Sequence, residues 1–154
     1  MEIKAKVQAE EGKHDILITR DFDLPVALLF KAYEDPELFE QWMGTKVVKM
    51  ENKTHGSYAF QTFHNGEVVF SANGTIHEFV PNTRITRTFQ MENTGFPVQL
   101  EFLEFEALTE DSSKLTMHMV FKSPAFRNEL LKMPFDKGLN MAHNRLQEIM
   151  NPLK

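Results

Sequence analysis

The chain contains no cysteine among its 154 residues, and only one tryptophan and two tyrosines. Without cysteine it can form no disulfide, zinc–thiolate site or iron–sulfur cluster, and no cysteine nucleophile is available. Its longest apolar run, Leu24 to Phe30, is much shorter than the roughly 20 residues that a membrane-spanning helix needs. Residues Met1 to Lys4 alternate apolar and charged side chains, whereas a signal peptide needs a continuous apolar stretch. We therefore expect a cytoplasmic protein with no membrane attachment.

Charge of one sign is not strongly in excess. The 17 Lys and Arg residues are outnumbered by 22 Asp and Glu residues, which gives a net charge of −5 with neutral histidines. No block of basic residues occurs, and nucleic-acid binding needs a positive surface that neutralises phosphate. We therefore expect no nucleic-acid partner.

Signatures of catalysis and of metal or cofactor binding are also missing. The sequence has no Gly-x-Ser-x-Gly nucleophile elbow and no glycine-rich phosphate-binding loop. Its six histidines show no paired spacing for a metal. The sequence therefore predicts no cofactor and no metal site, and it designates no catalytic residue.

Phenylalanine and methionine are abundant instead, with 14 and 9 residues. A chain of this length fits one domain, which we place at residues 1–154. Because hydrophobic residues make up 42% of the chain, we expect a large core of bulky and flexible side chains.

Hydrophobic periodicity predicts the first elements. Alternating apolar residues predict a strand near residues 3–9 and a second strand over 16–22. Two short helices follow. The first has Asp23 as its expected N-cap, and the second begins at Asp35-Pro36 and ends at Gly44.

The rest of the chain predicts an antiparallel meander and a long C-terminal helix. The helix follows Pro134, where an apolar stripe returns at helical spacing. Asn65-Gly66 is the sharpest hairpin signal between strands. The six predicted strands of the meander cover 45–51, 57–64, 67–79, 84–92, 98–108 and 114–122. In the 98–108 strand both alternating phases are apolar, so it is either covered on both faces or bulged.

The order of several short motifs resembles the START-like (SRPBCC, helix-grip) superfamily, in the branch named after the activator of heat-shock-chaperone ATPase. The residues that carry the resemblance are Ile18 to Pro25, Leu29 to Tyr33, Asp35 to Leu38, Gln41 to Gly44, His55 to Tyr58, Gly74 to Glu78, Pro81, Arg84, Lys114 to Thr116, Gly138 to Asn140, and Arg145-Leu146. The resemblance implies an α+β helix-grip fold, in which a curved antiparallel sheet wraps around a long C-terminal helix. It also implies a ligand cavity between the sheet and that helix.

A cavity of this kind has candidate lining residues in the sequence. They are Trp42, Tyr58, Phe60, Phe70, Arg87, Phe89, Met117, Met119, Leu139 and His143. Arg87 either faces an apolar interior, where it needs a carboxylate partner or an anionic ligand head, or extends out at the end of the sheet. His143 either binds a ligand oxygen or completes the core. Trp42 offers an indole N–H at the presumed entrance.

Three functions are compatible with these features. The preferred one is non-enzymatic binding of a hydrophobic or amphipathic small molecule in the cavity, in a stress-related role. The resemblance supports an alternative, a co-regulator that contacts a heat-shock chaperone ATPase. A cyclase or hydrolase that uses polar groups of the cavity is the third. The sequence leaves open whether the chain forms a homodimer.

Overall fold

The structure is a computed structural model that describes residues 3–154. Met1 and Glu2, which belong to the predicted domain and to the N-terminal segment considered above, lie outside the described residues. Within the described part the chain forms eight strands, four α-helices and a final 3-10 turn. The strands are β1 (Lys6–Gln8), β2 (Asp15–Phe22), β3 (Lys46–Met50), β4 (Ser57–His64), β5 (Glu67–Val80), β6 (Arg84–Met91), β7 (Gln99–Ala107) and β8 (Ser113–Val120). The helices are α1 (Val26–Glu34), α2 (Pro36–Met43), α3 (Pro124–Lys132) and α4 (Phe135–Met150), followed by the 3-10 turn Asn151–Leu153.

All of the described strands form one antiparallel sheet, in the order β1-β2-β8-β7-β6-β5-β4-β3. The six strands from β3 to β8 are the predicted meander, and β2 adds to it by pairing with β8. Register shifts interrupt β3–β4, β4–β5 and β5–β6 pairing, and such bulges bend a sheet. The sheet curves around α4, which confirms the α+β helix-grip fold.

The local sequence accounts for the turn at Asn65-Gly66 and for the ends of α2. Asn65 and Gly66 have φ of 53° and 80°, as a primed hairpin turn requires. The Asp35 side chain accepts bonds from the first turn of α2, and Gly44 ends that helix at a φ of 66°. Asp23 does not cap α1, which corrects the prediction: Pro25 holds the N-cap position, and the Asp23 carboxylate lies 2.9 Å from the Lys154 amine instead.

Helix α4 packs against the concave face of the sheet. Leu146 and Met150 join a buried cluster with Leu103 and Leu115 of the sheet. On the opposite side of the helix Met141 is 55% exposed. The helix thus has one apolar face, and that face determines where a cavity can form.

Strand β7 has an unbroken alternation. Leu103 and Phe105 face the interior and are buried, and Leu100 is exposed on the outer face. No register shift occurs between β7 and its neighbours. Neither alternative left open for this strand holds, because it has no bulge and its outer face is exposed at Leu100. The inward phase also includes Gln99 and Glu101, which are both buried.

Candidate functional site

A cavity of about 240 Å³ lies between the sheet and α4. Its wall consists of Tyr33, Phe39, Trp42, Met43, Phe60, Arg87, Phe89, Met91, Gln99, Glu101, Met117, Met119, Leu130, Phe135, Leu139, Ala142 and His143. The lining is mostly aromatic, methionine and aliphatic side chains. Eight of these residues are half-buried and the others are buried; the half-buried ones are Met43, Arg87, Phe89, Met91, Met117, Phe135, Leu139 and Ala142.

Eight of the ten side chains that the sequence analysis selected lie on this wall: Trp42, Phe60, Arg87, Phe89, Met117, Met119, Leu139 and His143. The other two do not reach it. The Tyr58 hydroxyl donates a hydrogen bond to the Thr88 carbonyl over 2.5 Å, and Phe70 packs beside Phe60 with 6.5 Å between ring centroids. That any of these residues contacts a ligand stays a prediction.

The strongest polar feature of the wall is an ion pair between neighbouring strands. Arg87 of β6 lies directly opposite Glu101 of β7, and Arg87 Nε donates to Glu101 Oε1 over 3.1 Å. The Gln99 amide donates to the second carboxylate oxygen, Oε2, over 2.9 Å. The Arg87 and Glu101 side chains are only 13% and 7% exposed. Each oxygen of the buried carboxylate thus has a partner.

The guanidinium of Arg87 also stacks on an aromatic ring. Its central carbon lies 4.9 Å from the centroid of Tyr58, which explains why Tyr58 matters to the site without lining it. Burial alone lowers the pKa of Arg87, but Tyr58 and Glu101 more than offset this and hold that pKa above its usual value. Arg87 therefore stays protonated.

Of the two alternatives for Arg87, the structure shows the inward one with a carboxylate partner. Sequence reasoning identified the need for this partner but missed Glu101 and Gln99. A signal existed, since both residues share the alternating phase of Leu103 and Phe105. Tyr33, Phe39, Met43, Met91, Leu130, Phe135 and Ala142 were missed as well.

A second polar pair lies on the helical side of the cavity. The Tyr33 hydroxyl of α1 and His143 Nε2 of α4 share a hydrogen bond of 3.2 Å. Burial raises the pKa of Tyr33. Burial, with the nearby positive charge of Arg20, lowers the pKa of His143 to about 3. Both side chains are therefore neutral near pH 7, and His143 Nδ1 has no hydrogen-bond partner among the described residues.

Trp42 lies on the cavity wall, but its indole N–H is not available to a ligand. It is 3% exposed, and its indole N–H donates to the Ala32 carbonyl over 2.8 Å. Ala32 belongs to the last turn of α1, where carbonyls lack partners within the helix. The N–H expected to face a ligand therefore stabilises the α1–α2 connection instead.

Two absences concern only residues 3–154. Nowhere in that range do three or more His, Asp or Glu side chains come together as metal ligands would. No helix in the same range combines the length and the apolar character needed to cross a membrane.

The comparisons with known proteins identify the family. The family model described as "Activator of Hsp90 ATPase homolog 1-like protein" matches residues 23–151. The chain belongs to this family. The family is the branch that the sequence motifs resemble, and the match covers every residue of the cavity wall.

Solved structures with the same fold come from several bacteria. Protein Ms6760 from Mycobacterium smegmatis has a TM-score of 0.83 at 19% identity, over 96% of each chain. A protein from Arthrobacter aurescens has a TM-score of 0.84 at 16% identity, over 96% of this chain and 91% of its own. A protein from Staphylococcus epidermidis has a TM-score of 0.80 at 20% identity, over 97% and 95%. No curated protein matches the chain. At these identities the likeness concerns the fold.

Proposed function

We propose that the protein binds a small apolar or amphipathic molecule in the cavity and does not transform it chemically. The observation that carries the proposal is the cavity itself, with its apolar wall and one buried polar cluster around Arg87. Ligand sites combine these two features, because apolar surface supplies affinity and a few placed polar groups supply orientation.

The size and softness of the wall limit the ligand. The volume of about 240 Å³ lies just below the range of roughly 300–1,000 Å³ found for ligand pockets, which favours a small molecule. Met43, Met91, Met117 and Met119 line the cavity, and methionine adapts its shape at little cost. A family of similar small ligands is therefore more compatible with this wall than one rigid shape.

The state of the polar groups favours binding over catalysis. A general base works best when its pKa lies near the operating pH, and the pKa of His143 is about 3. The Glu101 carboxylate already accepts hydrogen bonds from Arg87 and Gln99. The cyclase or hydrolase alternative has less support for this reason.

Two substitutions on α4 test the proposal. Ala142→Phe places a ring into the cavity from a lining position, and Met141→Phe places the same ring on the exposed side of the same helix. We expect saturable binding of an apolar fluorescent probe to the unmodified protein and to Met141→Phe, and a loss of at least about tenfold in affinity for Ala142→Phe. Equal affinity of both variants would show that the probe binds outside the cavity and would refute the proposal.

Chaperone co-regulation is a second candidate, supported by the description of the matching family as activator-like for the Hsp90 ATPase. It predicts that the purified protein changes the ATPase rate of Hsp90 in a concentration-dependent manner. A rate that stays constant on mixing would remove this candidate, and the result would leave the binding proposal untouched.

A further inference from the structure

We infer that the cavity selects uncharged amphiphiles whose polar end is a hydrogen-bond acceptor, such as an ester, ketone or hydroxyl oxygen, over fatty-acid anions and over organic cations. The inference rests on the proposed ligand-binding function and adds the charge class of the ligand. Arg87, Glu101 and Gln99 are the residues that determine it.

The charged side chains of the cavity wall neutralise each other. An isolated buried guanidinium would attract a carboxylate. In the structure Glu101 already neutralises Arg87 at 3.1 Å, and the pair is almost fully buried. A ligand carboxylate would add an uncompensated negative charge beside Glu101, at the desolvation cost of a buried ion.

A ligand cation is disfavoured as well. A ligand ammonium could approach only Glu101, the one carboxylate on the described wall. Both oxygens of Glu101 already accept hydrogen bonds, from Arg87 and from Gln99. A cation would have to displace one of these donors and would lie next to the positive charge of Arg87. The wall therefore disfavours either sign of ligand charge.

Arg87 keeps N–H donors that are available to a ligand. A guanidinium carries five N–H donors. Within the described chain Arg87 uses one of them, Nε–H, in a hydrogen bond to protein. Its terminal amino groups make no further hydrogen bond there, and the side chain lies on the cavity wall with 13% of its surface exposed. A neutral acceptor oxygen can take these donors without displacing Glu101. The Tyr33 hydroxyl and His143 Nε2 bond to each other, and neither side chain is charged near pH 7.

The test compares three ligands that share one alkyl chain: methyl octanoate, octanoate and octylamine. Their competition with the fluorescent probe is measured near neutral pH on the unmodified protein, on Glu101→Gln and on Arg87→Gln. Circular dichroism verifies that each variant is folded. Glu101→Gln keeps the shape of the side chain, Arg87→Gln shortens it, and each removes one charge of the pair.

We expect the unmodified protein to bind the ester at least about tenfold more tightly than either ion. Glu101→Gln leaves Arg87 uncompensated, so the ratio of octanoate to ester affinity should rise by at least about tenfold. Arg87→Gln leaves Glu101 uncompensated and should raise the octylamine ratio instead. An apolar cavity would disfavour both ions in every variant. Charge selection by the ion pair predicts instead that each substitution raises the relative affinity of only one ion.

Each other outcome has a definite meaning. If octanoate binds the unmodified protein as tightly as the ester, or Glu101→Gln fails to raise the octanoate ratio, the inference is wrong while the proposed function stands. If none of the three compounds displaces the probe, the proposed function fails as well. Should Arg87→Gln be unfolded, the Glu101→Gln comparison decides alone.

Discussion

His143 is a titratable residue of α4, and its buried side chain lies on the cavity wall. Its pKa is about 3 in the folded protein, against 6.5 for an ordinary histidine. Between these two values the unfolded chain binds one more proton than the folded chain, so acidification favours unfolding. The stability that neutral His143 contributes is therefore complete above about pH 6.5 and decreases as the pH falls toward 3.

This linkage predicts a difference between two variants. His143→Gln removes the titration, and we expect its free energy of unfolding to fall less than that of the unmodified protein, by about 2 kcal/mol between about pH 7 and about pH 5. Denaturant titrations at several pH values measure the difference. His64→Gln, at an exposed position, serves as the control and should keep the slope of the unmodified protein. Equal slopes for all three proteins would contradict the burial of a neutral histidine.

Gly74 is a second position where one residue controls the site. A Cβ at this position would collide with the Thr88 carbonyl and would lie 2.5 Å from the Tyr58 hydroxyl. The Arg87 guanidinium stacks on the Tyr58 ring, so a shift of Tyr58 would also displace the Arg87–Glu101 ion pair. We expect Gly74→Ala to cost about 3 kcal/mol of stability, measured by denaturant unfolding, because overpacking forces backbone and side-chain shifts.

The matched control for Gly74 is Gly138 in α4. Apart from the adjoining residues and backbone of α4 itself, no heavy atom of residues 3–154 lies within 4 Å of a Cβ built there. Alanine is a better helix former than glycine by about 1 kcal/mol, so Gly138→Ala should stabilise the protein slightly. If both substitutions cost the same, the close approach of Tyr58 to Gly74 is not the cause of the effect.

At the scale of elements, α2 depends on one capping side chain. The Asp35 carboxylate accepts hydrogen bonds from the backbone N–H of Glu37 at 2.9 Å and of Leu38 at 3.3 Å. Asp35→Ala should therefore cost about 1 kcal/mol. Because α2 supplies Phe39, Trp42 and Met43 to the cavity wall, probe affinity should fall with the stability of this helix.

Asp23 provides the comparison for this cap, since it precedes α1 in a similar sequence context. Its carboxylate makes no cap bond and lies near Lys154 with 67% of the side chain exposed. Exposed ion pairs contribute little, so Asp23→Ala should change the free energy of unfolding by less than roughly 0.5 kcal/mol. A loss for Asp23→Ala as large as that for Asp35→Ala would show that general charge effects, and not capping, dominate.

The two aspartates also show how far the sequence predicts elements. Asp35 directly precedes Pro36 and caps α2, whereas Leu24 separates Asp23 from Pro25, and Pro25 itself takes the N-cap position of α1. The meander was predictable because its turns need positive φ at Asn65 and Gly66, a demand visible in the residues themselves. The long helix was predictable from its apolar stripe.

The site was less predictable because it depends on which face of a strand turns inward. In β7 both phases are apolar at Leu100 and Leu103, so hydropathy does not decide between them. Pairing decides: β7 places Glu101 opposite Arg87 and directs both toward α4. The partner of the Trp42 N–H was unpredictable for a related reason, since the Ala32 carbonyl comes within reach only when α2 packs against α1.

For the molecule as a whole, the cavity lies among the elements that hold the fold together. Its wall includes residues of α1, α2, α3, α4 and the central strands, so a bound ligand touches most of the layers that separate on unfolding. A ligand that binds only the folded state stabilises it by about 2.7 kcal/mol at a concentration of about 100 times its Kd. For a chain of this size such a gain raises Tm by roughly 5–10 °C.

Because ligand binding stabilises the folded state, thermal unfolding can test whether the ligand occupies the cavity. Methyl octanoate should raise the Tm of the unmodified protein with increasing concentration, as should be seen by differential scanning calorimetry. Ala142→Phe, whose ring occupies the cavity, should start from a similar Tm and show no increase, while Met141→Phe should respond like the unmodified protein. A shift that is equal in all three proteins would mean that the ester stabilises the surface, since only a site between sheet and helix makes the response depend on the inward face of α4.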